Sequence, residues 1–267
     1  MHSPTASPSR PAGRAGSPGR GQVCLWPGGT LWIGDAVRIT RPGDLHAHHA
    51  LQLSFGAEEP LRFRTADDAW TDYAACLIPA DLPHAIDATG RSFAIIFVDP
   101  ETAEGRRLRA RAAPDAITAL DADEARAAVA PLWETWDESS ACARLEPAAR
   151  EVVRILAGTA PLAASTDPRV LGAIELVRAR LEGRVTLTDV ARDLNISPSR
   201  LRHLFVEEVG LPFRTYVLWQ RLHRVIQGLG SENLTHAALA AGFADAAHMT
   251  RTFRRMIGVT PSTIAPG

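Results

Sequence analysis

Four histidines in the first third of the chain carry ring nitrogens that could bind a ligand. His46, His48 and His49 stand close together, and His84 follows downstream. Side chains of a β-strand alternate between its two faces, so the His-x-His spacing predicts that His46 and His48 point to one side. His84 could add a third imidazole, and three imidazoles are a donor set that proteins use for metal ions.

Basic and small side chains at the start of a predicted helix could contact nucleic acid. The helix is predicted to begin at Ser197 and Pro198, because a serine hydroxyl accepts hydrogen bonds from first-turn amides and proline suits the first helical position. Its outward side chains are Ser199, Arg200, Arg202 and His203. Arginine and histidine can donate to guanine or to phosphates, and the small serine allows close approach.

A second helix of the same kind is predicted between a capping Asp245 and a terminating Gly258. One side is apolar at helical spacing, with Met249, Phe253, Met256 and Ile257. The side expected to face DNA carries Ala246, Ala247, His248, Thr250 and Arg251. Alanines offer no hydrogen bonds to base edges, so His248 and Arg251 are expected to contribute most of the contacts.

The elements that position these two helices repeat along the chain. Residues 186–210 and 234–258 each predict a short helix, a turn and a second helix, with Asn195 and Gly242 at the turns. Residues 212–229 predict one long helix between the two units. About 17 residues at 1.5 Å each span ~26 Å. That length suits two helices that enter successive major grooves ~34 Å apart.

The repeated unit resembles the C-terminal domain of AraC/XylS-type transcription regulators, over roughly residues 168–267. The similarity lies in Ala-x-x-x-Gly-Phe at 238–243, Arg-Thr-Phe-Arg-Arg at 251–255 and Gly-Val-Thr-Pro-Ser at 258–262. The chain departs from the family pattern at His236, Ala246, Ala247 and Ile264. The resemblance implies sequence-specific binding to double-stranded DNA. The two alanines imply a second unit that holds phosphates more than it reads bases.

Upstream of this domain, short apolar runs alternate with turn-forming residues. The runs are 22–26, 31–33, 36–39, 50–55, 61–63, 74–78 and 92–98. Many short strands at this spacing predict a β-sandwich or barrel. In front of an AraC-type domain, the resemblance implies a cupin-like jelly roll that binds a small effector. It also implies that the histidines lie in this effector-binding part.

Three interpretations of the histidines follow from that position. They could bind a metal ion, line a metal-free pocket, or be structural or exposed residues. Metal-binding cupins tend to supply a carboxylate after the histidine pair, whereas this chain has Gln52 there and no Glu. The sequence therefore favours an effector pocket at His46, His48 and His84, without a bound metal or other cofactor.

Residues 101–165 change to helical periodicity. The apolar stripes within 123–136 and 148–156 could pair two subunits, as the resemblance implies, or cover one face of the barrel. A short apolar piece over 116–120 stands among them. Residues 158–167 are rich in Ala, Pro, Ser and Thr and are predicted to link two domains.

Charge and cysteine content divide the chain further. All 29 basic residues are Arg; residues 168–267 hold 13 of them against 8 acidic residues, and residues 1–167 hold 16 against 22. A basic C-terminal part fits DNA binding at one end. Cys24, Cys76 and Cys142 lack metal-ligand spacing and are expected to be free thiols in a reducing cytoplasm. No run approaches the ~20 apolar residues of a membrane span.

Together these features predict an α+β multidomain protein. We expect a disordered tail over 1–21, a cupin-like β jelly roll with accessory helices for effector binding and dimerisation over 22–165, and an all-α AraC-type DNA-binding domain over 166–267. The expected function is effector-controlled transcription regulation in a bacterial cytoplasm, without catalytic residues. The expected partners are operator DNA, a small-molecule effector, a second copy of the chain and, for an activator, RNA polymerase. The alternative is a metal-dependent cupin enzyme with a helical appendage.

Overall fold

A computed structural model describes residues 20–35, 44–162, 166–229, 233–258 and 260–261. The predicted strand over 36–39, the middle of the predicted linker, Ile264 and most of the predicted tail lie outside these residues. At the end of that tail, Arg20 forms an ion pair with Asp35 at 3.4 Å and Gly21 begins the first strand. The described fold therefore begins slightly before the predicted boundary at residue 22.

The strands of the described residues all lie in the N-terminal half. They are β1 Gly21–Trp26, β2 Gly29–Gly34, β3 Leu51–Gly56, β4 Leu61–Thr65, β5 Thr71–Tyr73, β6 Ala75–Ile78, β7 His84–Asp87, β8 Phe93–Val98 and β9 Thr118–Ala119. Every predicted apolar run that falls on described residues coincides with a strand. β5 and β7 do not coincide with a predicted apolar run. The short apolar piece over 116–120, expected within a helical segment, contains strand β9 instead.

These strands form two antiparallel sheets. The larger sheet has the order β1-β2-β8-β3-β6-β9, and the smaller has the order β5-β4-β7. All six residues of β8 are buried, because this strand lies inside the larger sheet and both of its faces are covered. That burial explains why its sequence is continuously apolar rather than alternating.

Three helices cover one face of the larger sheet. They are α1 Ala103–Arg111, α2 Ala122–Glu138 and α3 Cys142–Ala157. Leu132 and Trp136 of α2 and Val152 of α3 share a buried cluster with Leu31 and Leu53 of the sheet. The apolar stripes predicted in this segment therefore cover the sheet.

A disulfide joins Cys24 in β1 to Cys142 at the start of α3. It corrects the expectation of three free thiols, whereas Cys76 is a buried free thiol as expected. The two bonded cysteines are 118 residues apart in the sequence. Their proximity comes from the packing of α3 beside β1, which the spacing of cysteines does not reveal.

The C-terminal part is helical. Its helices are α4 Pro168–Ala179, α5 Leu187–Asp193, α6 Pro198–Val209, α7 Phe213–Gly228, α8 Leu234–Ala240 and α9 Ala246–Ile257. The predicted caps Thr186, Ser197 and Asp245 each accept a hydrogen bond from a first-turn amide. Gly210 and Gly258 end α6 and α9 in the left-handed conformation, each with φ of 86°. The two predicted helix–turn–helix units and their linker helix are confirmed.

The two units pack differently. The first, with α4, has its own buried cluster, which includes Val190, Leu201 and Phe205. The second shares a buried cluster with the sheets, in which Phe253 and Ile257 of α9 join residues such as Phe63 of β4. Helix α7 connects both clusters. No helix of the described residues is long and apolar enough to cross a membrane.

Candidate nucleic-acid interface and histidine site

Helix α6 turns its first residues toward solvent on the face predicted to contact DNA. Ser199, Arg200, Arg202 and His203 are all exposed there. The opposite face anchors the helix through the buried side chains of Leu201, Leu204 and Phe205. His203 uses Nδ1 in a hydrogen bond of 2.7 Å with the Ser199 carbonyl oxygen, which leaves Nε2 for an outside partner. The face can donate hydrogen bonds to phosphates or base edges.

Helix α9 presents a smaller polar face. Ala247 and Arg251 are exposed, whereas Ala246, His248 and Thr250 are partly buried. Ala246 packs against a buried cluster, and the Thr250 hydroxyl donates to the Ala246 carbonyl oxygen at 2.8 Å. Arg251 is therefore the exposed cationic donor among the predicted contact residues of this helix.

Three of the histidines meet in a buried cluster. The ring centroids of His46 and His84 are 4.4 Å apart, those of His48 and His84 5.1 Å, and those of His46 and His48 5.7 Å. Between 0% and 8% of each residue is exposed, so the interpretation of these histidines as exposed residues is wrong. His46 and His48 do not stand on a strand; His46 is held by an isolated bridge to His84.

Backbone carbonyls fix the orientation of all three rings. In each, Nδ1 faces a carbonyl oxygen two residues away: Asp44 O for His46 at 3.4 Å, Ala50 O for His48 at 2.8 Å and Leu82 O for His84 at 2.8 Å. A carbonyl oxygen only accepts hydrogen bonds, so Nδ1 carries the proton and donates it. A neutral ring then has its lone pair on Nε2.

The Nε2 atoms have few competing partners. That of His84 is buried without a hydrogen-bond partner among the described residues. That of His48 lies 2.8 Å from the Gln52 amide, which also contacts Ser54 Oγ at 2.8 Å. The amide turns Oε1 toward His48, and its nitrogen donates to Ser54 Oγ.

Burial makes these imidazoles hard to protonate. It lowers the pKa of His48 to about 4, lowers that of His84 well below the ordinary value and lowers that of His46, because a charge in an apolar interior loses its hydration. The three rings are therefore neutral at pH 7 and can act as acceptors or as metal ligands.

The end of α9 lies directly on this cluster. A Cβ atom added to Gly258 would lie 2.6 Å from His46 Nδ1, so the backbone at the helix end touches the imidazole. Nearby, Arg254 of α9 forms an ion pair with Asp44 at 2.5 Å. The histidine cluster is thus the place where the N-terminal half meets the second helix–turn–helix unit.

A second polar cluster, which the sequence did not predict, lies between α7 and the end of β8. Trp219 donates from Nε1 to Asp99 Oδ1 at 3.1 Å, and Arg178 of α4 lies 3.7 Å from Asp99 Oδ2. His49 pairs with Glu101 at 3.2 Å and so does not join the other three histidines. The sequence feature that could have indicated this cluster is the pair Asp99 and Glu101, on either side of Pro100 directly after the buried strand β8.

The carboxyls of this polar cluster respond differently to burial. Burial raises the pKa of Asp99, and the nearby Glu101 charge adds to that effect. Burial also opposes ionisation of Glu101, but its hydrogen bond to His49, the His49 charge and further hydrogen bonds, one of them to Tyr216, together outweigh burial and lower its pKa. Asp99, Arg178, Gln220 and His223 line part of a cavity of about 370 Å³ between the two halves. This size lies within the range of small-molecule sites.

Comparison with known proteins shows that the C-terminal helical part is similar to helix-turn-helix proteins. The family model described as a helix-turn-helix domain matches residues 190–265. The HTH-type transcriptional regulator ArgR of Pseudomonas aeruginosa is 28% identical over 99 residues, which are 36% of this chain and 30% of the relative. The arabinose operon regulatory protein of Salmonella typhimurium is 28% identical over 107 residues, 38% of this chain and 37% of the relative. The chain thus spans about a third of the length of these curated relatives.

Solved structures are similar to this chain through both of its halves. ToxT from Vibrio cholerae O395 covers 93% of this chain and 99% of its own, with a TM-score of 0.52 and 11% identity. At this identity the similarity concerns the fold. It shows that the fold of the whole described chain is similar to that of a solved structure.

Proposed function

We propose, from the premise that residues 190–265 are an AraC-type helix–turn–helix domain, that this protein is a sequence-specific, double-stranded-DNA-binding transcription regulator. The observation that carries this proposal is the repeated unit itself. Each unit buries the apolar face of its second helix and exposes a basic side chain on the other, Arg202 in α6 and Arg251 in α9.

The spacing of the units supports binding to one face of a duplex. Helix α7 has 16 residues, which at 1.5 Å per residue span ~24 Å. An α-helix fits the major groove, and successive major grooves on one face are ~34 Å apart. We infer contacts from Ser199, Arg200, Arg202 and His203 in α6, and from Ala246, Ala247, His248, Thr250 and Arg251 in α9. Since the α9 set is partly buried, its contacts centre on Arg251.

The N-terminal half is proposed to be a cupin-like jelly roll over residues 22–165 that controls a DNA-binding domain over 166–267. Its two antiparallel sheets and the buried cluster of His46, His48 and His84 support an effector-binding role. The proposed partners are an effector, a second copy of the chain and, for an activator, RNA polymerase in a bacterial cytoplasm. The named relatives favour regulation over the alternative of a metal-dependent enzyme.

Selection of genomic fragments tests this proposal. The full chain is mixed with sheared DNA of the encoding genome, bound fragments are sequenced, and affinity for an enriched fragment is compared with that for shuffled DNA. We expect a recurrent motif and a specific-to-random affinity ratio of at least ~10³. Arg126→Ala, which removes a side chain exposed on helix α2, should bind as the wild type does. Enrichment of no sequence above bulk DNA would contradict sequence-specific binding.

A further inference from the structure

We propose that His46, His48 and His84 bind one divalent first-row transition-metal ion, and that this ion is the signal passed from the N-terminal half to helix α9. The metal site follows from the cluster geometry alone. The second part rests on the proposed function, because it concerns affinity for DNA.

The imidazole rings are oriented as metal ligands usually are. Each imidazole donates Nδ1–H to a backbone carbonyl, at 2.8 Å in His48 and His84 and at 3.4 Å in His46. Metal-binding histidines usually donate their other ring N–H in this way, since that bond orients the ring and fixes the lone pair. The fully buried Nε2 of His84 is a polar atom without a hydrogen-bond partner among the described residues.

The distances suit an ion rather than an organic molecule. One potential donor atom from each histidine lies within 4.8 Å of the other two. Zinc–nitrogen bonds are about 2.0–2.1 Å long, so nitrogens that share a tetrahedral ion lie about 3.4 Å apart, and those of the cluster would approach one another by up to ~1.4 Å. The rings already contact each other, with centroids as close as 4.4 Å, and the space between them cannot hold an organic effector.

The donor types narrow the choice of metal. Three neutral imidazoles suit Zn²⁺, Cu²⁺, Ni²⁺ or Fe²⁺ and do not suit Ca²⁺ or Mg²⁺, which prefer oxygen ligands. A carboxylate after the histidine pair is therefore not required, since three histidines with a fourth, exchangeable ligand are a known zinc arrangement. The Gln52 amide, 2.8 Å from His48 Nε2, stands where that fourth ligand could be supplied.

The position of His46 explains how a bound ion would influence the DNA-binding part. Its ring lies against Gly258, where an added Cβ would come within 2.6 Å of Nδ1. Asp44, whose carbonyl oxygen orients that ring, also pairs through its carboxylate with Arg254 of α9. Drawing His46 toward an ion shifts the surface on which the end of α9 rests. Occupancy is thus linked to the placement of the second recognition helix.

Metal binding is measured first, on the full chain stripped with a chelator. Zinc chloride is titrated by calorimetry, and Co²⁺ is followed by its visible absorption, which reports coordination directly. We expect one ion per chain and a Co²⁺ spectrum typical of nitrogen ligands. His84→Ala and His48→Ala should each lower affinity at least ~10-fold, whereas His236→Ala, on the exposed face of α8, should not.

The outcomes of this titration are decisive. Absence of zinc uptake and of Co²⁺ absorption in the wild-type chain would overturn the site, whatever the variants do. Binding that is unchanged in His84→Ala would place the ion elsewhere and would also overturn it. Circular dichroism in chelator shows whether each variant is folded, and the wild-type Co²⁺ spectrum supports the site independently of any variant.

The second measurement tests the signalling role of the ion. The affinity of the chain for a DNA fragment from the genomic selection is measured in zinc and in chelator. We expect a change of at least ~5-fold in either direction, retained in His236→Ala and lost in His84→Ala. Zinc binding without any change in DNA affinity would overturn the signalling role and leave the metal site standing. Absence of specific DNA binding in both conditions would overturn the proposed function and the signalling role together, while the zinc titration still decides the site.

Discussion

Two arginines, Arg202 on α6 and Arg251 on α9, stand on the exposed faces of the two recognition helices but have different neighbours. Around Arg202, the side chains of Ser199, Arg200 and His203 are also exposed. Around Arg251, the candidates are two alanines, a threonine whose hydroxyl bonds its own helix and a partly buried histidine. The first helix therefore has more donors for base edges than the second.

Replacement of Arg202 by alanine should reduce specific binding. If its guanidinium donates two hydrogen bonds to a guanine, the loss is ~1–3 kcal/mol on the preferred operator. Affinities for matched, mutated and shuffled sites measure it, with Arg126→Ala as the control for removal of an exposed arginine. An equal loss on shuffled DNA would make Arg202 a phosphate contact.

Replacement of Arg251 by alanine should weaken binding and reduce its dependence on salt. One phosphate contact fewer releases one counterion fewer, so the slope of log affinity against log salt falls by about 1. Ala247→Gln, on the same exposed face, should change sequence preference without abolishing binding. Wild-type affinity and slope in Arg251→Ala would show that α9 does not face DNA in the proposed way.

At the scale of elements, helix caps set where the recognition helices begin. A disulfide joins α3 to β1. The disulfide closes a loop of 118 residues, which makes the unfolded chain less extended. Helices α2 and α3 already bury Trp136, Leu145 and Val152 against the larger sheet. The crosslink therefore adds to an apolar contact that exists without it.

Cys142→Ser should destabilise the oxidised protein. Loss of the crosslink is expected to lower the free energy of unfolding by ~2–4 kcal/mol. Urea unfolding of both proteins, with and without a reductant, measures the difference. Cys76→Ser is the contrasting variant, because Cys76 forms no disulfide. The unfolding free energy that this variant loses should be the same with and without the reductant. If the reductant does not bring wild type and Cys142→Ser closer, the disulfide does not stabilise the fold.

At the scale of the whole molecule, the second helix–turn–helix unit is docked on the sheets while the first has a core of its own. The junction combines the apolar face of α9 with buried polar contacts from α7. Trp219 carries the best-defined of these, a hydrogen bond to the fully buried Asp99. Both partners are desolvated, so a missing donor leaves an unsatisfied carboxyl oxygen.

Trp219→Phe should therefore loosen the junction. It retains an aromatic ring and removes the N–H donor, at an expected cost of ~1–3 kcal/mol in unfolding free energy. Urea unfolding measures the cost, and limited proteolysis at the linker between the halves reports undocking. Trp70→Phe, in a partly exposed tryptophan, should cost less than 1 kcal/mol, as surface substitutions usually do. Equal effects of both substitutions would show that the Asp99 bond contributes nothing.

Local patterns in the sequence determined most of the fold and the nucleic-acid face. Caps at Thr186, Ser197 and Asp245, glycines after α6 and α9, and helical apolar stripes act within one or two turns, so their effect can be deduced without tertiary structure. The same holds for the exposure of Arg202 and Arg251, because burying one side of a short helix leaves the other outside.

Tertiary structure alone decided the contacts between segments that are distant in the sequence. It brought His84 onto His46 and His48, joined Cys24 to Cys142, placed Trp219 on Asp99 and seated the end of α9 against His46. Each of these contacts depends on how sheets and helices pack, and no periodicity or spacing specifies that packing. Even the absence of a glutamate after the histidine pair was an incomplete guide, because the suitability of three imidazoles for a metal ion depends on their distances and on the carbonyls that orient them.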